Sequence, residues 1–292
     1  MTAIELIDKI LNSDKNILPV NDYKDQYRQW SLLIHPDHCD DIRASSAFEK
    51  LTKYRDELEI GYKFSDELCD IVMKGNVLTF TGPKDDLQRS HDNFVEISTV
   101  MKDHPTFKYY VPKLMKFVGD DLIVDLWDKV DDKDHRGIRL DFTIEENHVR
   151  WILNRSLEFS SLLNLIGGWS HLGINSNSML ICPETHGIQI VSFYHSVKIG
   201  HPLRSLNGMI KSRYPIHIFD TKISDDRIDI ELCKRFACEL LGDPFGLGTK
   251  LKGSINPEFN TFLLSSNSIR EGYLKYQDFL NKSPRTFHKL DR

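Results

Sequence analysis

Long apolar runs, sequence repeats and paired cysteines are all missing from this chain of 292 residues. No apolar run approaches the roughly 20 residues that a membrane-spanning helix needs. The beginning MTAIELIDKILNSDK does not resemble a secretory signal. The net charge of −5 argues against a nucleic-acid surface, because such surfaces are usually basic. These absences predict a cytoplasmic protein that binds neither membrane nor nucleic acid.

Cysteine is scarce and scattered. The five cysteines form no CxxC pair, which is typical of reduced thiols and not of a disulphide framework. Cys39 lies near His35 and His38, but no second Cys/His cluster exists to complete a zinc ligand set. The sequence therefore predicts neither a metal nor a cofactor. The five cysteines are Cys39, Cys69, Cys182, Cys233 and Cys238.

Residues 1–65 are predicted to form a small helical domain. Three groups of apolar residues recur at helical spacing and indicate three helices. We expect the second and third helices to pack as an antiparallel pair, because a short connection joins them. The three groups are Ile4, Ile7, Ile10 and Leu11; Tyr23, Tyr27, Trp30 and Ile34; and Phe48, Leu51, Tyr54 and Leu58.

Residues 66–292 change character and predict an α+β fold, with a small sheet followed by a mostly helical part. A strand at 77–82, a helix at 85–102 and a hairpin at 113–127 are predicted first. A second hairpin is predicted from strands at 179–182 and 188–193, with Gly187 in its turn. Helices at 229–242 and 268–280 follow.

Two local motifs between these elements carry further predictions. Thr143 and Glu146 have the spacing of a capping box, which predicts that a long helix begins there and ends at Gly167-Gly168. The charged loop DKVDDKDHRG at 128–137 is predicted to be a solvated excursion. Its acidic residues Asp131, Asp132 and Asp134 are a weak candidate for a magnesium site.

His35-Pro36-Asp37 interrupts the helical pattern between the second and third helices. Pro36 disfavours the helical conformation at His35, so the second helix is predicted to end there. Asp37 is then available to accept hydrogen bonds or to pair with an arginine of a partner, and His35 offers a ring donor beside it. We therefore expect two polar side chains exposed on a rigid turn.

The span QYRQWSLLIHPDHCDD followed by AFEKLTKYRDEL resembles the J-domain of DnaJ-type co-chaperones. The resemblance implies a helical J-domain that contacts a DnaK-type chaperone and stimulates its ATP hydrolysis. An ordinary inter-helix turn and a degenerate J-domain that no longer stimulates are the alternatives. The residues implied in chaperone binding are Lys24, Tyr27, Arg28, His35, Pro36 and Asp37, and the apolar family positions are filled by Trp30, Leu32, Phe48, Leu51 and Leu58.

The second predicted helix departs from the family pattern, which usually has a basic face. Here Lys24 and Arg28 are balanced by Asp22 and Asp25, and Leu33 stands where a lysine is common. Exposed charges steer association more than they hold a complex together. We therefore expect weaker or more selective chaperone binding than a standard J-domain has.

After residue 70 the order of elements resembles a protein kinase. The family's catalytic loop contains His-Arg-Asp followed by Lys and Asn, and a nearby strand delivers Asp-Phe-Gly. His171 stands at the histidine position, and the helix at 229–242 matches the apolar anchoring helix, with Asp229 at its acidic position. The other family positions are filled by Leu172, Gly173, Asn175 and Ser178 in the loop and by Ser192, Phe193 and Tyr194 after the strand.

Phosphoryl transfer needs a carboxylate to orient the attacking hydroxyl and oxygen ligands to hold magnesium. Gly173, Ser178 and Ser192 supply neither, and no GxGxxG motif precedes the helix at 85. Lys84 could mimic the strand lysine of a kinase but is predicted to be an ordinary surface residue. The resemblance therefore implies a pseudokinase, a kinase-like domain without catalysis.

The sequence as a whole predicts a non-enzymatic adaptor. Its J-domain recruits a DnaK-type chaperone, and its kinase-like domain binds a client or partner protein. Two alternatives stay open: an atypical active kinase that uses Asp120, Asp121 or Asp141, and a J-like decoy that occupies the chaperone without stimulating it.

Overall fold

The computed structural model describes residues 1–13, 16–19, 23–59, 61–130, 133–283, 286 and 290. Within these ranges the chain is a mixed α+β protein, which confirms the predicted fold class. It divides into two compact units. The first unit comprises Met1–Phe64 and Val72–Leu78, and the second comprises Ser65–Ile71 and Thr79–Leu290. No helix in the described ranges is long and apolar enough to cross a membrane.

The first unit contains three helices, α1 (Ala3–Leu11), α2 (Tyr23–Leu33) and α3 (Ala44–Glu59). A capping box begins α1: the Thr2 hydroxyl accepts from the Glu5 N–H, and the Glu5 carboxylate accepts from the Thr2 N–H. Ile4 was predicted on the apolar face but is exposed, and Leu6 is buried beside Ile7 instead. The buried core consists of Leu6, Ile7, Ile10, Leu18, Trp30, Ile34, Ala44, Ala47, Leu51 and Tyr54.

Helices α2 and α3 run antiparallel, as predicted. The Tyr27 hydroxyl on α2 lies 3.2 Å from the Thr52 hydroxyl on α3. At the other end of α2, the His35 ring meets the Phe48 ring edge-on, with centroids 5.0 Å apart. Residues further along α2 and its following turn therefore contact residues nearer the start of α3, which is the antiparallel arrangement.

Five strands form one antiparallel sheet in the order β1–β2–β3–β5–β4. The predicted strand at 77–82 and the hairpin at 113–127 are confirmed as β3 and as β4 with β5. In that hairpin Leu114 pairs with Asp125 and Val118 with Asp121. The strands are β1 (Tyr62–Ser65), β2 (Asp70–Lys74), β3 (Val77–Thr81), β4 (Leu114–Val118) and β5 (Asp121–Asp125).

The predicted helix at 85–102 is α4 (Lys84–Val100), and it buries Leu87, Phe94 and Ile97. The long helix α5 (Glu146–Leu165) lies in the second unit. It packs against α7 (Ile228–Leu240), α9 (Ile269–Lys282) and strand β10 (Gly187–Ile190). The remaining elements are β6 (Lys129–Val130), β7 (Lys133–Asp134), β8 (Trp169–Ser170), β9 (Met179–Cys182), β11 (Val197–Lys198), α6 (His217–Thr221) and α8 (Pro257–Leu264).

The predicted capping box at Thr143 is wrong. The residue that caps α5 is Glu145, and its side chain makes no capping hydrogen bond. The Ile144 N–H donates to the Leu240 carbonyl at 2.9 Å, so the segment before α5 is held at the end of α7. The predicted end is confirmed, since Gly168 takes a left-handed φ of +71° just beyond α5.

The predicted second hairpin is confirmed, but Gly187 does not make its turn. Gly187 is the first residue of β10 and pairs with Cys182, while His186 takes the left-handed conformation at φ +50°. A Cβ on Gly187 would lie 2.6 Å from Cε1 of His135. Glycine is needed there for the close approach of that ring.

The charged loop at 128–137 is not wholly solvated. Strands β6 and β7 pair within it, and the His135 side chain is buried. The His135 carbonyl accepts a hydrogen bond of 2.8 Å from the Gln189 amide, which ties this part of the loop to β10. Asp131 and Asp132 lie outside the described residues.

Candidate functional site

The His35-Pro36-Asp37 segment forms one closed turn directly after α2. The N–H groups of His38 and Cys39 both donate to the His35 carbonyl, at 2.9 Å each. Ile34, immediately before the turn, is fully buried. The turn is therefore fixed by backbone hydrogen bonds and anchored in the core of the first unit.

The His35 ring is held from two sides. Its Nδ1 accepts the Asp37 N–H at 3.2 Å and lies 3.6 Å from the Asp37 carboxylate. Its edge-on contact with Phe48 fixes the plane of the ring. With Nδ1 as an acceptor, a neutral ring carries its proton on Nε2, which is then the donor of the ring. The Asp37 side chain is 77% exposed, so a carboxylate and an imidazole donor are presented side by side.

The other residues predicted for chaperone binding divide into two groups. Lys24 and Arg28 are exposed on α2. Tyr27 is half-buried, with its hydroxyl against Thr52 and its ring 4.7 Å below the Arg55 guanidinium. Tyr27 therefore holds α2 to α3 and does not face outward. Asp22 lies outside the described residues.

Exposed apolar side chains flank the turn, and one of them, Leu33, stands where the family commonly has a lysine. Leu32 is 66% exposed, Leu33 41% and Ile42 96%. Arg43, beyond the turn, pairs with Asp41 and Asp8. Its hydrogen bonds lower the pKa of Asp41 to about 2. The basic side chain nearest to the turn on the α3 side is therefore occupied within the unit.

A small polar cavity in the second unit is lined by six of the eight kinase-family positions of the loop and the strand end, and only Leu172 and Phe193 are not among its lining residues. Its volume is about 10 Å³, which is room for about one water molecule. Four of its lining residues, Asp66, Asn177, His195 and Asn207, belong to no motif and were not predicted. The lining residues are Asp66, His171, Gly173, Asn175, Asn177, Ser178, Ser192, Tyr194, His195 and Asn207.

Asp229 on α7 organises the loop that begins at His171. Its fully buried carboxylate accepts the His171 and Leu172 N–H groups, at 2.8 Å each, and the Asn164 amide at 3.0 Å. Leu172 takes a left-handed φ of +65°, a strained conformation for a leucine. Burial raises the pKa of Asp229. The carboxylate fixes the backbone of this loop and does not reach the cavity.

The His171 ring joins the loop to the segment after β10. Its Nε2 contacts the Ser192 carbonyl at 2.8 Å, and its Nδ1 accepts the Gly173 N–H at 3.2 Å. The ring also meets Phe193 edge-on, with centroids 5.6 Å apart. Burial lowers the pKa of His171 to about 4, so the ring is neutral and donates from Nε2.

The polar side chains of this loop form hydrogen bonds to the backbone of the same loop and fix its conformation. The Ser178 hydroxyl donates to the Gly173 carbonyl, and the Asn175 amide donates to the same oxygen at 3.0 Å. The Asn175 side-chain oxygen accepts the Asn177 N–H at 2.6 Å. These side chains supply no carboxylate and make no arrangement that would hold magnesium against a phosphate.

Carboxylates border the cavity on the side of the β1–β2 turn. A carboxylate oxygen of Glu67 lies 2.7 Å from His195 Nε2, and Glu67 also accepts the Gly208 N–H. The other ring nitrogen of His195 lies 3.0 Å from the Ser205 hydroxyl. Asp66 lines the cavity itself, and burial raises its pKa.

The carboxylates considered for an atypical kinase lie elsewhere. Asp120 is 94% exposed in the β4–β5 turn, 3.8 Å from Lys84. Asp121 accepts the Thr81 hydroxyl, and Asp141 pairs with Arg139. None of the three lines the cavity. Lys84 is 76% exposed, which confirms that it is a surface residue.

Within the described ranges, no group of three or more His, Cys, Asp and Glu side chains is arranged to hold a metal ion. Comparison with known proteins adds no identity. No protein-family model matches the chain, and no curated protein is similar to it.

The neutral state of His171 makes the second unit sensitive to acid. Burial lowers the pKa of His171 from 6.5 to about 4. Between these two pH values the unfolded chain binds a proton at this residue and the folded chain does not. The resulting stability is fully present above pH 6.5 and is lost as the pH falls toward 4. We expect a loss of about 3 kcal/mol across that window.

Urea unfolding followed by near-UV circular dichroism checks this expectation. In His171→Gln the pH dependence becomes shallower. It does not vanish, because burial also lowers the pKa of His186 to about 4. The matched control is His201→Gln, which removes an exposed histidine and keeps the wild-type slope. Equal slopes in all three proteins would contradict the assignment.

Proposed function

We propose that this protein is a cytoplasmic J-domain co-chaperone. Its first unit recruits a DnaK-type chaperone and stimulates the chaperone's ATPase through His35, Pro36 and Asp37. Its second unit is a kinase-like domain without catalysis that binds a client or partner protein. One observation carries the proposal: the rigid turn that presents an imidazole donor and a carboxylate together between two antiparallel helices.

The turn suits a partner that offers an arginine and a hydrogen-bond acceptor. Asp37 is solvent-exposed, so pairing with an arginine costs little reorganisation of the turn. The imidazole is already oriented by Phe48 and by the Asp37 N–H, and little side-chain entropy is lost when it binds. Leu33, which is exposed where the family commonly has a lysine, adds apolar contact beside the turn.

The arrangement around His171 supports the kinase-like part of the proposal. Helix α4 holds the residue that stands in place of the kinase phenylalanine: the Ser90 hydroxyl accepts the Phe193 N–H at 2.9 Å, and the Asn93 amide donates to the Phe193 carbonyl at 2.8 Å. A packed, internally hydrogen-bonded loop with no magnesium ligand suits a binding scaffold better than a phosphoryl-transfer site.

A single-turnover ATPase assay with the full chain and a DnaK-type chaperone tests the proposal. We expect the chain to raise the chaperone's rate of ATP hydrolysis in a dose-dependent way. The chain alone with Mg-ATP should release no phosphate and should phosphorylate neither itself nor casein. Binding to the chaperone without a rise in rate would indicate the decoy, and phosphorylation by the chain alone would indicate an atypical kinase.

A further inference from the structure

Positive charge is concentrated in one stretch of the second unit. Residues 197–224 contain five lysines or arginines and one acidic residue, Asp220, in a chain whose net charge is −5.

The stretch folds back on itself, which brings the backbone just before Arg204 beside the backbone of Lys222. The Leu203 N–H donates to the Lys222 carbonyl at 2.8 Å, and the Ser224 N–H donates to the His201 carbonyl at 2.9 Å. Pro202 and Ile223 form an antiparallel bridge between these bonds. The ends of the stretch therefore lie side by side on one surface.

Three of the five cations are available to a partner. Lys198 pairs with Glu96 at 2.5 Å, and Arg213 pairs with Glu239 at 2.6 Å. Arg204, Lys211 and Lys222 are exposed and form no ion pair with any described residue. We refer to these three, together with the apolar residues Met209, Ile216 and Ile223, as the cationic surface.

The apolar members of the cationic surface are strongly exposed. Met209 is 59% exposed, Ile216 82% and Ile223 45%. Ile216 begins the turn into α6 and contributes its side chain to the surface and not to the core. Exposed aliphatic side chains between unpaired cations fit a partner that alternates carboxylates with apolar residues.

We propose that the cationic surface binds extended protein segments rich in acidic and aliphatic residues, and that such segments are the clients of this protein. The inference rests on the proposed client-binding role of the second unit and names the chemical class of the client. Charge complementarity selects acidic segments, and Ile216 with its apolar neighbours selects those that are also partly apolar.

Nucleic acid and anionic membrane fit the surface less well. Single-stranded nucleic acid is held by exposed aromatic side chains on which bases stack. The large side chains exposed here are aliphatic, and Tyr214 is buried. A membrane surface calls for a long amphipathic helix, whereas α6 has five residues.

Fluorescence anisotropy with the full chain tests the proposal. The probe is a labelled peptide of alternating Glu and Leu, and its matched control replaces every Glu with Gln. We expect the acidic peptide to bind and the Gln peptide to bind at least about tenfold more weakly. The combined variant Arg204→Glu, Lys211→Glu and Lys222→Glu should lose about tenfold or more in affinity.

A charge-matched variant separates a local site from a general field effect. Lys102, Lys113 and Lys116 are exposed elsewhere in the second unit, and their joint replacement by Glu should leave the affinity unchanged. Ile216→Ser should weaken binding of the acidic peptide but should not alter the salt dependence of that binding. Equal losses in both charge-reversal variants would overturn the proposal, as would tighter binding of oligo-dT or of phosphatidylserine vesicles that displaces the peptide.

The same charge-reversal variant distinguishes this inference from the co-chaperone proposal. Arg204, Lys211 and Lys222 belong to the second unit, so the variant should stimulate the chaperone ATPase as wild type does. Peptide binding without any ATPase stimulation by the wild-type chain would refute the co-chaperone role and leave the cationic surface established. Stimulation of the chaperone ATPase without peptide binding would refute the proposed role of the cationic surface and leave the co-chaperone proposal standing.

Discussion

Asp229→Ala is expected to lower the unfolding free energy of the second unit by about 3–5 kcal/mol. The substitution removes the acceptor of three buried donors: the N–H groups of His171 and Leu172 and the Asn164 amide. Each donor left without a partner costs about 1–3 kcal/mol. A loss of this size is a large share of the 5–15 kcal/mol that typically stabilises a domain.

Two further variants make the Asp229 experiment specific. Asp229→Asn keeps the shape and one acceptor oxygen, so the loss should be smaller than for alanine. Asp226→Ala removes a partly exposed carboxylate from the segment before α7 and serves as the matched control. Urea denaturation followed by near-UV circular dichroism supplies the free energies. If Asp229→Ala were no less stable than Asp226→Ala, Asp229 would not be the residue that organises the loop.

The parts of the fold that the sequence predicted are those fixed by local periodicity. Helices α4, α7 and α9 each bury a continuous apolar stripe, and the β4–β5 hairpin turns at Gly119. In such elements the hydrophobic pattern and the structure have the same period, so no distant contact is needed to choose between helix and strand. Strands β1 and β2 were not predicted, and each has one buried side chain.

Predictions failed where a distant residue decides the local conformation. Thr143 does not cap α5, and its neighbour Ile144 is bonded to the distant Leu240. Gly187 does not make the turn but leaves room for the His135 ring. Neither partner lies near in sequence, so no local pattern could have signalled the outcome.

The residues around the cavity also divide into those with a local sequence signal and those placed only by tertiary contacts. Its loop residues His171, Gly173, Asn175 and Ser178 were predicted from one short stretch of sequence. Glu67 was missed, because it reaches His195 and Gly208 only through the tertiary fold. An acidic pair such as Asp66-Glu67 in a turn has no sequence signature that separates it from ordinary solvated charge.

The turn after α2 combines exposure with rigidity, and that combination favours a role in recognition. Core residues beside a turn usually stabilise it, as Ile34 does here. Asp37, however, contributes no contact to the core and is open to solvent, so packing alone does not require a carboxylate there. The polar side chains are held in one geometry but make few of the hydrogen bonds available to them, as expected of groups that wait for a partner.

His35→Gln is accordingly expected to reduce stimulation of the chaperone ATPase to the basal rate while the first unit stays folded. Glutamine retains a donor but loses the planar ring that packs against Phe48 and the Nδ1 acceptor that receives the Asp37 N–H. The donor is then free to rotate, and the carboxylate of Asp37 loses its fixed neighbour. The measurement is the single-turnover hydrolysis rate at saturating concentrations of the full chain.

His38→Gln is the matched control for the His35 experiment, because it changes another exposed imidazole in the same turn. The backbone N–H of His38 donates to the His35 carbonyl and so helps to close the turn. The substitution preserves this bond, so stimulation should stay close to that of wild type. Far-UV circular dichroism of both variants should match the wild-type spectrum. If His35→Gln stimulated as well as His38→Gln, the turn would be an inter-helix connection without a role in signalling, and the co-chaperone proposal would fail with it.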